Sequence, residues 1–220
     1  MSHRSPSLYI GQKAAQTNYY AVKQAERIGL PLSHFVTINF SMTKIDPHDA
    51  VPCFSKLRRY HFNKWATRPH KGKGPAFTPT YAFAFENVRD KAPFLTMERG
   101  EPHNVHVHWA LHLPPSRVHE FRNEIWDWLR MTAGEITGGD EAINVLPLTD
   151  LSYLLKGTTP TLARLYARGR DAEPQGIIMG RRADTSRNLG PTARRARDKQ
   201  LGIQRRMPSR YTDAAQPSPP

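Results

Sequence analysis

Three histidines alternate with large apolar residues in the stretch NVHVHWALHLP, residues 104–114. Because side chains of a β-strand alternate between its two faces, His106, His108 and His112 share one face and the apolar residues share the other. Neutral imidazole binds first-row divalent metals, and two imidazoles two residues apart on a strand can hold one ion. The stretch therefore predicts a core strand with a candidate metal pair; histidines that merely touch solvent are the alternative.

A carboxylate completes this candidate site. Glu86 lies near the end of the preceding apolar stretch, TYAFAFENV, where antiparallel pairing would bring it beside the histidines. Two histidines and one carboxylate with open positions are typical of a catalytic cation site. His112 lies about 13 Å along the strand from His108, too far to share the ion, so we expect it to be a bystander.

The elements around these residues predict an α+β fold. Alternating stretches predict further strands at residues 34–42 and 143–148, and apolar residues at helical spacing predict helices at 17–29, from about Pro52, and at 116–134. TDLSYLLKG, residues 149–157, predicts a short helix that begins at Thr149 or Asp150 and ends at Gly157. Since few strands have βαβ spacing, we expect an antiparallel sheet with helices packed on it.

Composition limits the partners. The 220 residues carry a formal net charge of +13, which favours a polyanion, most commonly nucleic acid. A single cysteine, Cys53, excludes internal disulfides and thiolate metal sites and fits a reducing cytosol. No apolar run is long enough to span a bilayer, and the first residues show no apolar signal core. We therefore expect a cytoplasmic protein without a membrane partner.

Composition also divides the chain. We predict a flexible N-terminus at residues 1–17, a domain at 18–157, a basic extension at 158–198 and a disordered tail at 199–220. The extension is rich in arginine, which binds phosphate by charge and bidentate geometry, and it includes a possible short helix from about Pro191. The candidate nucleic-acid-binding residues are Arg181, Arg182, Arg187, Arg194 and Arg195.

Three motifs occur in an order that resembles a known superfamily. FVTINF, residues 35–40, resembles the first-motif strand of the HUH endonucleases, and His106-Val107-His108 resembles their His-hydrophobic-His motif. YLLKG, residues 153–157, resembles their Tyr-x-x-Lys helix. The resemblance covers residues 34–157 and is greatest to the rolling-circle replication initiators of small plasmids and filamentous phages.

This resemblance implies a five-stranded antiparallel sheet and a nicking reaction on single-stranded DNA. Tyr153 would be the nucleophile and form a 5′-phosphotyrosine link, and Mg²⁺ or Mn²⁺ would be held by His106, His108 and Glu86. A phenol is a weak nucleophile at neutral pH, because its unperturbed pKa is about 10, so a cation must assist it. Lys156 is three residues from Tyr153 and hence on the same helical face. Tyr166 is an alternative nucleophile.

The implied role is initiation of plasmid or phage replication at a single-stranded origin in the bacterial cytoplasm. The sequence contains no G-x-x-x-x-G-K-[ST] motif, so a host helicase would supply unwinding. Relaxases and single-strand transposases share this chemistry and remain open alternatives.

Other classes explain less of the sequence. Metallo-β-lactamase-like hydrolases follow their histidine pair with Asp and His, whereas Ala110 and Leu111 stand here. Barrel amidohydrolases need repeated βα units, and two-histidine phosphoesterases need two separated His-x-Ser/Thr motifs. A non-catalytic single-strand-binding protein, using the aromatic YAFAF strand and the arginines, is the remaining alternative. A purely structural protein would leave all three motifs unexplained.

Overall fold

The fold is built on one five-stranded antiparallel sheet with strand order β5-β2-β4-β3-β7. A computed structural model describes residues 6–69, 74–87, 104–150, 152–165 and 173–203. A separate two-stranded ribbon joins β1 and β6. The strands are β1 Pro6–Ser7, β2 His34–Asn39, β3 Tyr81–Asn87, β4 Val105–Leu111, β5 Ile143–Pro147, β6 Ile178–Met179 and β7 Ala183–Thr185.

Helices cover both faces of this sheet and confirm the predicted α+β class. They are α1 Gln12–Arg27, α2 Ala50–Lys56, α3 Asn63–Ala66, α4 Val118–Ala133, α5 Pro160–Leu165 and α6 Pro191–Gln200. A π-helical segment, Leu57–Phe62, joins α2 to α3. In the described ranges, no helix is both long and apolar enough to cross a membrane.

The main core lies on one face of the sheet, under α2, α3 and α4. It consists largely of aromatic side chains, and the Trp109 ring lies 5.3 Å from Phe54 and 4.8 Å from Phe62, both edge to face. Phe83 and Phe85 of β3 are 2% and 0% exposed on this same face. The large apolar side chains of the central strands therefore pack in this core. The side chains on the opposite face of the sheet are available for other contacts.

Helix α1 covers part of the opposite face through small side chains. Ala21 and Ala25 pack against Ala82 and Ala110 of the sheet. The Asn18 amide donates hydrogen bonds to the carbonyl oxygens of Phe83 and Leu154, both at 3.1 Å. This side chain therefore fixes α1, β3 and the turn after β5 relative to one another.

The packed structure extends beyond the predicted domain boundaries at both ends. Residues 12–17, assigned to the flexible N-terminus, belong to α1, and residues 6–7 pair with β6. Strand β7 comes from the predicted extension and forms an edge of the central sheet. Helix α6 begins at Pro191, as predicted, and it includes residues 199–200 of the predicted tail. Residues 204–220 of that tail lie outside the described residues.

Arg182, predicted to contact DNA, is instead buried, with 4% of its surface exposed. Its guanidinium donates to the carbonyl oxygens of Phe85 at 3.2 Å, Gln175 at 3.3 Å and Ser7 at 2.6 Å, and also to that of Gly176. The bond to Phe85 is buried and the other three are partly buried. Arg182 therefore joins the N-terminal segment, β3 and the segment before β6.

We predict that Arg182→Met lowers the free energy of unfolding by more than about 2 kcal/mol, because one buried and three partly buried carbonyl oxygens lose a charged donor. Urea denaturation followed by circular dichroism measures this loss. Arg181→Met removes the same charge from a 72% exposed side chain and should change stability by less than about 0.5 kcal/mol. Equal effects of the two variants would contradict the structural role.

Candidate metal centre

The pairing of β3 with β4 brings Glu86 and the two predicted histidines together. Glu86 lies opposite His106, and Ala84 lies opposite His108. The Glu86 Oε2 atom is 3.4 Å from His106 Nε2 and 3.5 Å from His108 Nε2. One ligand atom from each of the three residues lies within 4.8 Å of the others. The three side chains can therefore hold one metal ion.

The hydrogen bond of His106 fixes which of its ring nitrogens is available. His106 Nδ1 lies 3.1 Å from the carbonyl oxygen of Asn104, which can only accept, so Nδ1 carries the proton. Without a proton on Nε2, the ring directs the Nε2 lone pair toward the Glu86 carboxylate. Two acceptors facing each other at 3.4 Å repel unless a cation, either a further proton or a metal ion, lies between them.

His108 is oriented by the neighbouring strand. Thr37 of β2 lies opposite His108, and its Oγ1 is 3.1 Å from His108 Nδ1. With Nδ1 donating to this hydroxyl, Nε2 is free to bind a metal, as second-shell partners of ligand histidines commonly arrange. The Phe35 ring stacks on the His108 ring at 5.2 Å and 21°. Both contacts fix the plane of the imidazole.

The electrostatics keep the Glu86 carboxyl group ionised. Burial alone would raise the pKa of Glu86, but hydrogen bonds and charge from His106 and His108 outweigh it and lower this pKa to about 2. Burial lowers the pKa of His108, against the opposing effect of Glu86, which favours the neutral ring. Glu86 Oε1 is buried without a hydrogen-bond partner among the described residues. Two imidazoles and a carboxylate with a spare oxygen suit a divalent first-row ion.

Tyr153 and Lys156 lie over this cluster, as their predicted shared face requires. The Tyr153 ring is 5.1 Å from the His108 ring and 5.5 Å from the Phe35 ring. Lys156 Nζ is 4.5 Å from the Tyr153 ring centroid and 3.8 Å from Glu86 Oε2. Tyr153 is 39% exposed, more than expected for a residue that only packs in a core. A nucleophile-type side chain therefore borders the candidate metal position.

The segment that carries Tyr153 is shorter than the predicted helix. It is a single 3₁₀ turn, Ser152–Leu154. The carboxylate of Asp150 accepts a hydrogen bond from the Ser152 amide at 2.8 Å, so Asp150 begins the turn, as one of the two predicted caps. Gly157 ends the segment at φ +74°, a conformation that favours glycine.

The other predicted residues lie away from the cluster. His112 Nδ1 bonds the carbonyl oxygen of Pro31 at 2.8 Å, and His112 is not part of the three-residue group, which agrees with its expected bystander role. Arg194 is 5% exposed and lies over the Tyr20 ring. Among the candidate DNA-binding residues, the exposed ones are Arg181, Arg187 and Arg195. Tyr166 lies outside the described residues.

Sequence reasoning missed Thr37, Phe35 and Asn104. The first two occupy alternate positions of FVTINF, on the face of β2 that adjoins the histidines, so the same period-two rule could have identified them. Asn104 contributes its backbone carbonyl, for which side-chain identity gives no signal. Neither protein-family models, nor curated proteins, nor solved structures show a match to this chain.

We predict that His106→Ala and His108→Ala each weaken Mn²⁺ binding by about 100-fold or more, because loss of a second-shell partner alone costs about 10- to 100-fold. Isothermal titration calorimetry measures the affinity. His112→Ala removes an imidazole from the same stretch outside the cluster and should bind Mn²⁺ like the wild type. Unchanged affinity in the first two variants would refute the site.

We also predict that Thr37→Val weakens Mn²⁺ binding by about 10-fold or more, since the nearly isosteric valine cannot accept from His108 Nδ1. The same calorimetric titration applies. Thr132→Val is the matched control, because its hydroxyl bonds the Trp128 carbonyl within α4. If both threonine variants behave alike, Thr37 does not orient the histidine.

Proposed function

We propose that the protein is a metal-dependent, site-specific endonuclease and ligase of single-stranded DNA that forms a 5′-phosphotyrosine intermediate. The observation that carries this proposal is the partly exposed Tyr153, whose ring lies 5.1 Å from the His108 ring at a tilt of 57°, with Lys156 between the Tyr153 ring and Glu86. A hydrolase that activates water needs no tyrosine at this position. The arrangement therefore favours covalent catalysis.

His106, His108 and Glu86 would hold the divalent ion, for which we propose Mg²⁺ or Mn²⁺. When bound, such an ion withdraws charge from a phosphate oxygen and orients the scissile group. Lys156 supplies a positive charge 4.5 Å from the centre of the phenol ring, where it would attract the phosphate group. Phe35 and His108 contact the Tyr153 ring and would restrict its motion, which lowers the entropic cost of attack.

The proposed step conserves the phosphodiester energy. The Tyr153 phenolate oxygen forms a bond to phosphorus, the bond from phosphorus to the 3′-oxygen breaks, and that oxygen leaves as a 3′-hydroxyl after taking a proton. The phosphate then joins the tyrosine oxygen to the 5′-oxygen of the downstream nucleotide. The reverse step joins a 3′-hydroxyl to the same phosphate, which accounts for ligation without an external energy source.

The biological role proposed is initiation of rolling-circle replication of a plasmid or phage in a bacterial host, with a host helicase as partner. The net charge of +13 supports a nucleic-acid substrate. Conjugation and transposition use the same chemistry and remain within the proposal. The passive single-strand-binding alternative loses one of its supports, because Phe83 and Phe85 of the aromatic strand are buried and cannot stack on bases.

We predict that Tyr153→Phe abolishes the covalent protein–DNA adduct, since phenylalanine keeps the ring packing but has no oxygen to attack phosphorus. The assay incubates protein, Mn²⁺ and labelled single-stranded DNA from the protein's own replicon, followed by denaturing electrophoresis. The double variant His106→Ala/His108→Ala should also form no adduct. Tyr60→Phe alters another exposed tyrosine, 59% accessible, and should form the adduct normally.

Adduct formation that survives in Tyr153→Phe would move the nucleophile elsewhere, with Tyr166→Phe as the next variant. If the wild type binds DNA but cleaves no replicon sequence, the nicking proposal fails. The protein is then a non-catalytic single-strand-binding protein.

A further inference from the structure

A second candidate binding site lies on the opposite face of the sheet from the metal centre. It is a cleft of about 1270 Å³ between the α2 and π-helical segments and the β7 edge. Its floor includes the core-facing aromatic residues Phe83 and Phe85 of β3. None of the metal-centre residues lines it.

The cleft is strongly basic. We call it the arginine cleft, after the residues that line it: Arg58, Arg59, Arg181 and Arg187. The acidic residue in its described lining is Asp184, which is paired with Arg181 at 2.5 Å. In the described part of the chain, no carboxylate lies within ion-pair distance of the other three arginines. The charges of the exposed Arg59 and Arg187 are therefore available to an anion.

Arg58 is held in a fixed position within this cleft. Its guanidinium lies 4.4 Å over the Phe83 ring and 5.2 Å from the Phe54 and Tyr81 rings. Its Nη1 donates to Tyr81 Oη at 2.9 Å. Its Nε is buried and has no hydrogen-bond partner among the described residues. A guanidinium held in place by three rings and one hydrogen bond is preorganised to bind a phosphate oxygen.

The arginine cleft continues around the β7 edge toward the other face of the sheet. Arg181 and Arg187 line it and also line a neighbouring groove, of about 760 Å³, between β7, α1 and α6. Lys13 of α1 adds a further positive charge to that groove. Helix α1 packs on the metal-centre face. The two grooves therefore form a continuous basic path between the two faces.

We infer that the arginine cleft binds the phosphodiester backbone of single-stranded nucleic acid, in a segment flanking the one at the metal centre. The assignment to single-stranded DNA rests on the proposed function, whereas the anion site itself rests on the cleft. A free nucleotide phosphate has the same chemistry, so the test must separate it from a strand.

The test compares Arg59→Ala/Arg187→Ala with the wild type by fluorescence anisotropy of labelled single-stranded DNA in EDTA, from about 50 to about 200 mM salt. Both side chains are exposed, so folding should be preserved. Loss of two phosphate contacts should reduce the slope of log affinity against log salt by about 1.4 in magnitude and weaken binding regardless of DNA sequence. Arg68→Ala/Arg122→Ala removes the same charge from exposed positions outside the cleft and should bind nearly as the wild type.

Equal weakening by the two double variants would overturn the inference, as would a wild type that does not bind single-stranded DNA. Inorganic phosphate and a nucleoside triphosphate serve as competitors. If either displaces the DNA from wild type at equimolar phosphate, the cleft is a nucleotide-phosphate pocket and the strand assignment fails. Because EDTA removes divalent ions, these outcomes are independent of adduct formation, and a failed nicking reaction leaves the binding result interpretable.

Discussion

The pairing register between β3 and β4 determines the geometry of the candidate metal centre. Glu86 faces His106 in this register, while Phe83 pairs with Trp109 on the core face. A slip of one residue would turn the aromatic row toward the histidine face and expose it, so the register is strongly specified by the core. The packing of large rings thus positions three polar groups that contribute little to packing themselves.

The same period-two alternation made much of the fold and site predictable. The four longer strands of the sheet, the metal pair and the carboxylate beside it follow from side-chain alternation and antiparallel pairing. Their three-residue spacing predicted that Tyr153 and Lys156 lie together, and both side chains do lie at the cluster, although the 3₁₀ turn contains Tyr153 and ends before Lys156. Local spacing is sufficient to predict that two side chains lie together when both residues belong to the same strand or turn.

Partners distant in sequence account for what could not be predicted. Strand β7 has three residues, Ala-Asp-Thr, which are too few to show alternation. It forms by antiparallel pairing with the edge of β3. Arg182 and Arg181 are adjacent and chemically identical, yet Arg182 is buried among carbonyls from three segments. An arginine-rich composition therefore indicates charge but does not distinguish a phosphate-binding side chain from a structural one.

Burial of Glu86 connects the stability of the fold to its proposed chemistry. A carboxylate that is 1% exposed is costly to bury unless positive charge compensates it, typically by several kcal/mol. The groups closest to Oε2 are the two imidazoles and Lys156 Nζ, at 3.4–3.8 Å, and Oε1 has no hydrogen-bond partner among the described residues. A divalent ion would supply the missing charge and favour the folded state through its binding energy. Burial of this carboxylate costs free energy. The same burial makes it a strong ligand, because little water competes for its oxygens.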